Sequence, residues 1–303
     1  YMIETALYKV LVDCGFHQGQ DEEKHEGESF TFDPSSVDAL LLTHAHIDHS
    51  GRIPLLVKEG FKGKVYCTFA TAELVEILWR DSARFMGEEA EWRTRKNSRK
   101  GLPPVEPLYT EKEVEDSLGL LSPIPYDEVI EIIKGLKVRF REAGHILGSS
   151  IIEAWVSENN GDKAVKVVFS GDLGPLEGVI EKPPTLIEEA DFVLIESTYG
   201  DRLHKSLEDT RQEFENALKD ALMTSGKVLV PTFVVDRAQR VLYELDRFQK
   251  KYPDIEMPKI YLDSPMGVKV TEIYGKYIPH LSRELKDMFL KGDDPFEPEN
   301  FQF

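Results

Sequence analysis

Apolar residues fall along this chain in two rhythms. Short β-branched or aliphatic runs bounded by Asp, Gly or Ser alternate with longer stretches in which apolar positions recur every third or fourth residue. The runs predict strands at Ala6–Val12, Val37–Thr43, Leu136–Arg141, Ser150–Trp155, Ala164–Ser170 and Phe192–Ile195. Helical spacing predicts Ser50–Glu59, stopped by Gly60, and Thr71–Met86, which carries Leu74, Ile77, Leu78 and Phe85. The polar stretch Gln18–Gly27 reads as a loop, and a charged segment, Gly87–Pro104, separates the second helix from more helix beyond. From Leu207 the rhythm changes to a long helix ending near Gly226, a buried-looking strand Lys227–Val230, a helix Arg237–Lys250 and a short strand Lys259–Leu262. Strands alternating with helices define an α/β class, and the change of rhythm divides the chain into residues 1–206 and 207–303.

Length agrees with this division, since 303 residues make about two domains with cores of their own. The charge narrows the function. With 55 acidic against 37 basic side chains the net charge is −18, which argues against a protein that coats nucleic acid by charge alone. It leaves room for an enzyme that holds nucleic acid through metals and a local basic strip. Such a strip exists: Arg84, Arg93, Arg95, Lys96, Arg99 and Lys100 surround Trp92, cations suited to nucleic-acid phosphates beside a ring suited to stacking on a base. A solvated charge run is the competing reading. Arg237, heading a helix of the second domain, is a further candidate substrate contact. The two cysteines, Cys14 and Cys67, form no disulfide framework. No run approaches the roughly 18 apolar residues of a membrane span, and no export leader is visible, so the reducing cytoplasm is the expected compartment.

The densest chemistry is Thr43-His44-Ala45-His46-Ile47-Asp48-His49, which gathers three of the chain's eight histidines and a carboxylate between a predicted strand and a predicted helix. His44 and His46, two apart at a strand end, can point the same way, while Asp48 and His49 fall where the chain turns. Imidazole nitrogen and carboxylate oxygen suit zinc without thiolates, and neither cysteine has a zinc-finger spacing. Single residues elsewhere have blander readings on their own. His145 reads as a structural histidine, Asp172 as a turn residue beside Gly171, and Glu196 as a charged strand end. His17, His25 and His280 read as surface or structural histidines.

The His44-x-His46-x-Asp48-His49 segment resembles the signature of the metallo-β-lactamase superfamily. Leu11-Val12-Asp13-Cys14-Gly15, Gly144-His145-Ile146-Leu147-Gly148-Ser149 and Ser170-Gly171-Asp172 resemble its other motifs, in family order and each at a predicted strand end. The resemblance implies an αββα sandwich holding two zinc ions. His44, His46 and His145 would bind one, Asp48 and His49 the other, with Asp172 bridging and Asp13 supporting the histidine loop. Ile195-Glu196-Ser197-Thr198-Tyr199-Gly200, followed by Asp201-Arg202-Leu203-His204, resembles the acidic motif of the β-CASP group, with Glu196 as the matching acid. The stretch from Gly226 to Leu245, through Pro231-Thr232-Phe233 and Arg237-Ala238-Gln239, resembles the start of the β-CASP cap.

The resemblance implies a ribonuclease that hydrolyses phosphodiesters with water activated between two zinc ions. Asp48 and Asp172 would stand at the reacting centre, and Glu196 would orient a histidine. RNA is the implied partner, a membrane is not, and a homodimer is compatible with the sequence. The family's opening strand and the histidines that follow its cap have no counterpart here, so both domains are expected to be parts of a longer chain. A thioester or lactone hydrolase on the same sandwich, which needs no cap, is one alternative. A silent scaffold, which predicts eroded ligands, is another, and a di-iron protein would carry glutamate in place of His46.

Overall fold

The computed structural model describes residues 1–17, 29–157, 163–203, 205–224 and 227–302. The predicted loop Gln18–Gly27 with His25, and His204 of the β-CASP-like motif, lie outside the described residues. The chain forms two compact units, Tyr1–Glu177 with Pro183–Ile195, and Gly178–Lys182 with Glu196–Phe303.

In the first unit one five-stranded sheet holds β1 (Met2–Glu4), β2 (Lys9–Val12), β3 (Ala39–Leu41), β4 (Lys64–Cys67) and β5 (Leu121–Pro123), in that order. All neighbours are parallel except the β1–β2 hairpin. The predicted strand Ala6–Val12 is therefore shorter, because Thr5 caps a turn by accepting from the backbone N–H groups of Leu7 and Tyr8. Every residue of β3 is buried, as a central parallel strand covered on both faces requires. The second sheet runs β10-β9-β8-β7-β6, formed by β6 (Ile130–Ile133), β7 (Leu136–Glu142), β8 (Ser150–Val156), β9 (Val165–Phe169) and β10 (Phe192–Leu194). It is antiparallel apart from β10, which lies parallel to β9. Alternation along β7 turns Leu136, Val138 and Phe140 into the core and Lys137 outward. These residues meet Val10, Val12, Ala39 and Leu41 of the first sheet and Ile152, Ala154 and Phe169 of the second in one continuous core between the sheets. At the edge carrying the histidine loop the sheets are tied directly, since Ser150 donates to Thr43 O through both N (2.8 Å) and Oγ (2.9 Å).

After β3 come α1 (Ile47–Ser50) and α2 (Ile53–Lys58), two pieces where one helix over Ser50–Glu59 was expected. Pro54 at the start of α2 lacks the N–H that would continue the ladder of α1. Next is α3 (Phe69–Ser98), capped by Thr68, whose hydroxyl accepts from Thr71 N, and then α4 (Glu111–Leu118), opened by a capping box of Thr110 and Glu113. The helix expected to stop at Met86 thus continues three more turns through the segment expected to be a charged loop. Its extension buries little but Ala90, so it carries no hydrophobic period. It is held by ion pairs one turn apart, Arg84 with Glu88 (3.1 Å) and Arg93 with Glu89 (2.8 Å), and by Thr94 Oγ1, which accepts from Val105 N at 2.8 Å.

The second unit contains α5 (Leu207–Leu222), α6 (Arg237–Lys251), β11 (Ile260–Tyr261), α7 (Pro265–Tyr277), α8 (Arg283–Leu290) and β12 (Phe301–Gln302), with β11 parallel to β12. Leu218, Leu245, Phe248 and Met257 form its buried core. Arg240 on α6 is clamped between Asp236 (2.8 Å) and the buried Glu181 (2.6 Å). The strand expected over Lys227–Val230 forms no regular element and has no ladder partner among the described residues. Its Leu229 is 89% exposed. Apolar β-branched sequence produces a strand only where a neighbour accepts its backbone hydrogen bonds.

Candidate metal centre

Strand ends build the site. Beyond β3 the chain delivers Thr43, His44 and His46, and α1 then carries Asp48 and His49. The β7–β8 turn delivers His145, and the end of β9 delivers Asp172. Asp13, just past β2, has φ of 61°, a left-handed conformation that Asp tolerates better than most residues. That turn aims its carboxylate back across the sheet. Oδ1 accepts from Thr43 N at 2.7 Å, and Oδ2 accepts from Thr43 Oγ1 and from His49 Nδ1, both at 2.8 Å. Thr43 Oγ1 also lies 3.0 Å from His44 Nδ1. One carboxylate therefore fixes His49 directly and His44 through a hydroxyl, and each ring is left with Nε2 facing inward.

Two glycines allow the loops to close. A Cβ on Gly15 would stand 1.7 Å from Asp48 O, and one on Gly174 would stand 1.6 Å from Gly144 O. Only glycine permits the Asp13 loop to lie against α1, and the Asp172 loop against the His145 turn. Sequence reasoning named neither as a site determinant. Gly15 stood inside a quoted motif, whereas nothing in the local pattern marks Gly174. Thr68 and Thr71, also unpredicted, hold the His145 turn by donating to Gly148 O at 2.7 and 2.9 Å. Ser149 Oγ accepts from His145 N at 3.0 Å.

His44, His46, His145 and Asp172 each offer a donor atom, all within 4.8 Å of one another. His44 Nε2 is 3.1 Å from His46 Nδ1, which is 3.2 Å from His145 Nε2. Asp172 Oδ2 is 3.4 Å from His145 Nε2 and 3.8 Å from His44 Nε2. A tetrahedral ion with bonds of about 2.0–2.1 Å has ligand–ligand edges of about 3.3–3.4 Å, so the four atoms are close enough together to share one ion. Asp172 turns its other oxygen, Oδ1, to His49 Nε2 at 3.2 Å, and Asp48 Oδ2 is 3.9 Å from that nitrogen. Asp172 is thus shared between two donor groups.

Electrostatics separate the histidines. Burial holds His44 well below the usual imidazole range, reinforced by the charges of His49, His46 and His145. Burial, with His145 beside it, brings His46 down to about 4. Both present lone pairs at neutral pH. Burial also opposes a charge on His49, but hydrogen bonds to Asp13 and Asp172 prevail and raise it to about 10. Asp172 resists burial and is lowered overall, chiefly by the His49 hydrogen bond.

The other predicted residues belong to the second unit or to α3. Glu196 belongs to the second unit, where its carboxylate accepts from Thr198 N at 3.0 Å. Arg237 lines a cavity of about 760 Å³ in that unit with Phe214, Phe233 and Tyr243. Trp92, Arg93, Arg95 and Lys96 lie on the last turns of α3, and Arg99 and Lys100 just beyond. Arg84 is neutralised by Asp81 at 2.6 Å and by Glu88.

Residues 1–231 match the family description Metallo-beta-lactamase superfamily, and residues 238–303 match Beta-Casp domain. The chain belongs to the metallo-β-lactamase superfamily. Within it the chain is of the β-CASP kind, and its relatives include nucleases. It is 40% identical to Ribonuclease TTHA0252 of Thermus thermophilus over 96% of this chain and 61% of that protein. It is 31% identical to Transcription termination factor FttA of Methanosarcina mazei, over 100% of this chain and 45% of that one. With Cleavage and polyadenylation specificity factor subunit 3-I of Arabidopsis thaliana it shares 28% identity over 95% of this chain and 38% of that protein. The chain therefore spans less than two thirds of the length of these relatives. No helix among the described residues is long and apolar enough to cross a membrane.

Proposed function

We propose that this chain is the metal-binding part of a cytoplasmic, zinc-dependent ribonuclease that hydrolyses phosphodiester bonds with two zinc ions. The observation that carries the reading is the set of four donor atoms within 4.8 Å of one another, with Asp172 also turned to His49 and His49 to Asp48, in a chain of the β-CASP kind. The nitrogen and oxygen donors and the absence of thiolate among them favour zinc. Zinc bound there would lower the pKa of a water and neutralise charge gathering on phosphoryl oxygens.

The chain's own residues supply the rest. His44, His46, His145 and Asp172 would hold one ion, and Asp48 and His49 would help to hold the other. Asp48 is the carboxylate of this group that can take a proton from the attacking water. Asp13 keeps His44 and His49 in the tautomers that face the site. Glu196 acts by orienting a histidine and not on substrate.

The test uses the longer parent protein, and its His46→Ala variant, with end-labelled RNA in zinc buffer, alongside a thioester substrate. RNA cleavage that disappears in the variant is expected. Thioester turnover without RNA cleavage would replace this reading with a small-molecule hydrolase.

A further inference from the structure

The cations of α3 are not equivalent. In the first five turns each is tied to carboxylates: Arg80 pairs with Glu76, Glu111 and Glu115, and Arg84 with Asp81 and Glu88. Arg93 is tied to Glu89. Beyond it the pattern breaks. From Trp92 to Val105 the sequence holds Arg93, Arg95, Lys96, Arg99 and Lys100 with no acidic residue, in a chain of net charge −18. Arg95, Lys96, Arg99 and Lys100 form no ion pair among the described residues. Trp92 is 55% exposed, and Lys96 Nζ lies 5.0 Å from its ring centroid.

This end of the helix is ordered and indexed to the metal centre. Asn97 Nδ2 donates to Pro103 O at 3.0 Å, and Thr94 closes on Val105, so the returning chain braces the last turns. At the other end Thr68 and Thr71 grip Gly148 in the His145 turn. Trp79 Nε1 donates to Ser50 Oγ, the residue after His49, at 3.2 Å. At about 1.5 Å rise per residue, Trp92 lies about 32 Å along the axis from Thr71, and Arg99 about 42 Å. No side chain there can reach a phosphate undergoing reaction.

We propose that the distal end of α3, Trp92 to Lys100, is a remote anchor for single-stranded RNA whose scissile phosphate lies at the metal centre. The proposal rests on the ribonuclease reading and adds to it a dependence on substrate length. Unpaired cations and an exposed indole on one rigid helix end are the elements that hold a single strand without reading its sequence. Carboxylates already occupy the nearer cations, so those take no part.

The experiment measures binding of fluorescein-labelled oligouridylate of about 16 and about 4 nucleotides to the parent protein, lengths that bracket a single-strand site. It compares the parent with an R95A/K96A/R99A/K100A variant, a Trp92→Ala variant and, as a control on a paired cation, Arg84→Ala. Circular dichroism and zinc content establish that each variant is folded and loaded. Each phosphate contact contributes about 0.7 to the slope of log affinity against log salt, so the quadruple variant is expected to lose about 3 from the 16-mer slope. From 50 to 200 mM salt its affinity then falls about 50-fold less than that of the parent. KM for the long RNA rises while kcat and tetramer binding are unchanged. Trp92→Ala weakens the 16-mer about fivefold or more, and Arg84→Ala does nothing.

An unchanged slope overturns the anchor, as does equal loss on both lengths. A shift in sedimentation of the quadruple variant, with RNA binding intact, overturns it in favour of a protein contact. If the parent cleaves RNA and the slope is unmoved, the anchor alone falls. If the parent neither binds nor cleaves RNA, the ribonuclease reading falls with it.

Discussion

Replacing Asp13 with Asn separates the two donor groups of the metal centre. Asn tolerates the left-handed backbone at φ 61° and keeps one carbonyl oxygen, so Thr43 N retains its acceptor. The loss falls on Oδ2, which accepts from Thr43 Oγ1 and His49 Nδ1. An amide nitrogen there is a donor and faces the N–H of His49. In the neutral ring that would bind a metal, this clash favours the proton on Nε2, the atom 3.2 Å from Asp172 Oδ1, and so removes the lone pair needed there. His44 keeps its partner Thr43, and its group is affected less. A hydrogen bond that orients a metal-binding histidine contributes about 10–100-fold in affinity, or about 1.4–2.7 kcal/mol. Titration with zinc against a chromophoric chelator should show the weaker of two sites losing that factor and the tighter site changing less than threefold. Nitrogen-15 spectra of the zinc-free protein should show the His49 imidazolium losing its proton at a lower pH than in the parent, because one of the two carboxylates that raise its pKa is gone. Two sites of unchanged affinity, or equal loss at both, would refute the proposed division of labour.

Three further outcomes are expected. Gly15→Ala places a methyl 1.7 Å from Asp48 O and should cost roughly 1–3 kcal/mol in a urea melt together with measurable zinc loss, while Gly87→Ala, which meets nothing, should cost neither. Asp172→Asn should remove RNA cleavage by about 10²-fold or more and lower zinc content by mass spectrometry, since both of its oxygens face donor groups. Glu153 is 1% exposed and holds Arg139 and Lys166, each at 2.6 Å. Burial opposes its charge, but these cations prevail and lower its pKa below 4.5. Its contribution is therefore complete above the unfolded carboxylate value and lost as pH falls through the lower folded one. Urea midpoints between pH 6 and pH 3 should drop in that acid window, and Glu153→Gln should flatten the drop.

The sequence made the site more legible than the fold around it. His44 to His49 are contiguous, so short-range pattern carried them, whereas Asp13, His145 and Asp172 have blander local readings and were legible only through the resemblance of the motifs that hold them. The buried run Ala39–Leu41 was equally plain, because a strand covered on both faces has no polar alternation to obscure it. The extension of α3 was not legible, since ion pairs and a returning chain hold residues 87–98 where apolar period is lacking. Strands β4, β5 and β6 also went unnamed. Lys227–Val230 failed in the opposite sense, with strand-forming residues that lack a ladder partner among the described residues. Gly174 was invisible because its reason is a contact with Gly144, thirty positions earlier in the chain.

The candidate ligands are drawn from residues 44 to 172 and from the ends of strands in both sheets, so they meet only when the sandwich has closed. A half-formed molecule offers a cation at most the local His44–His49 cluster. A bound ion would thus act as a latch thrown at the end of assembly. It should slow escape from the native state far more than it hastens arrival there, and stripping it should shorten the lifetime of the fold before it alters the shape.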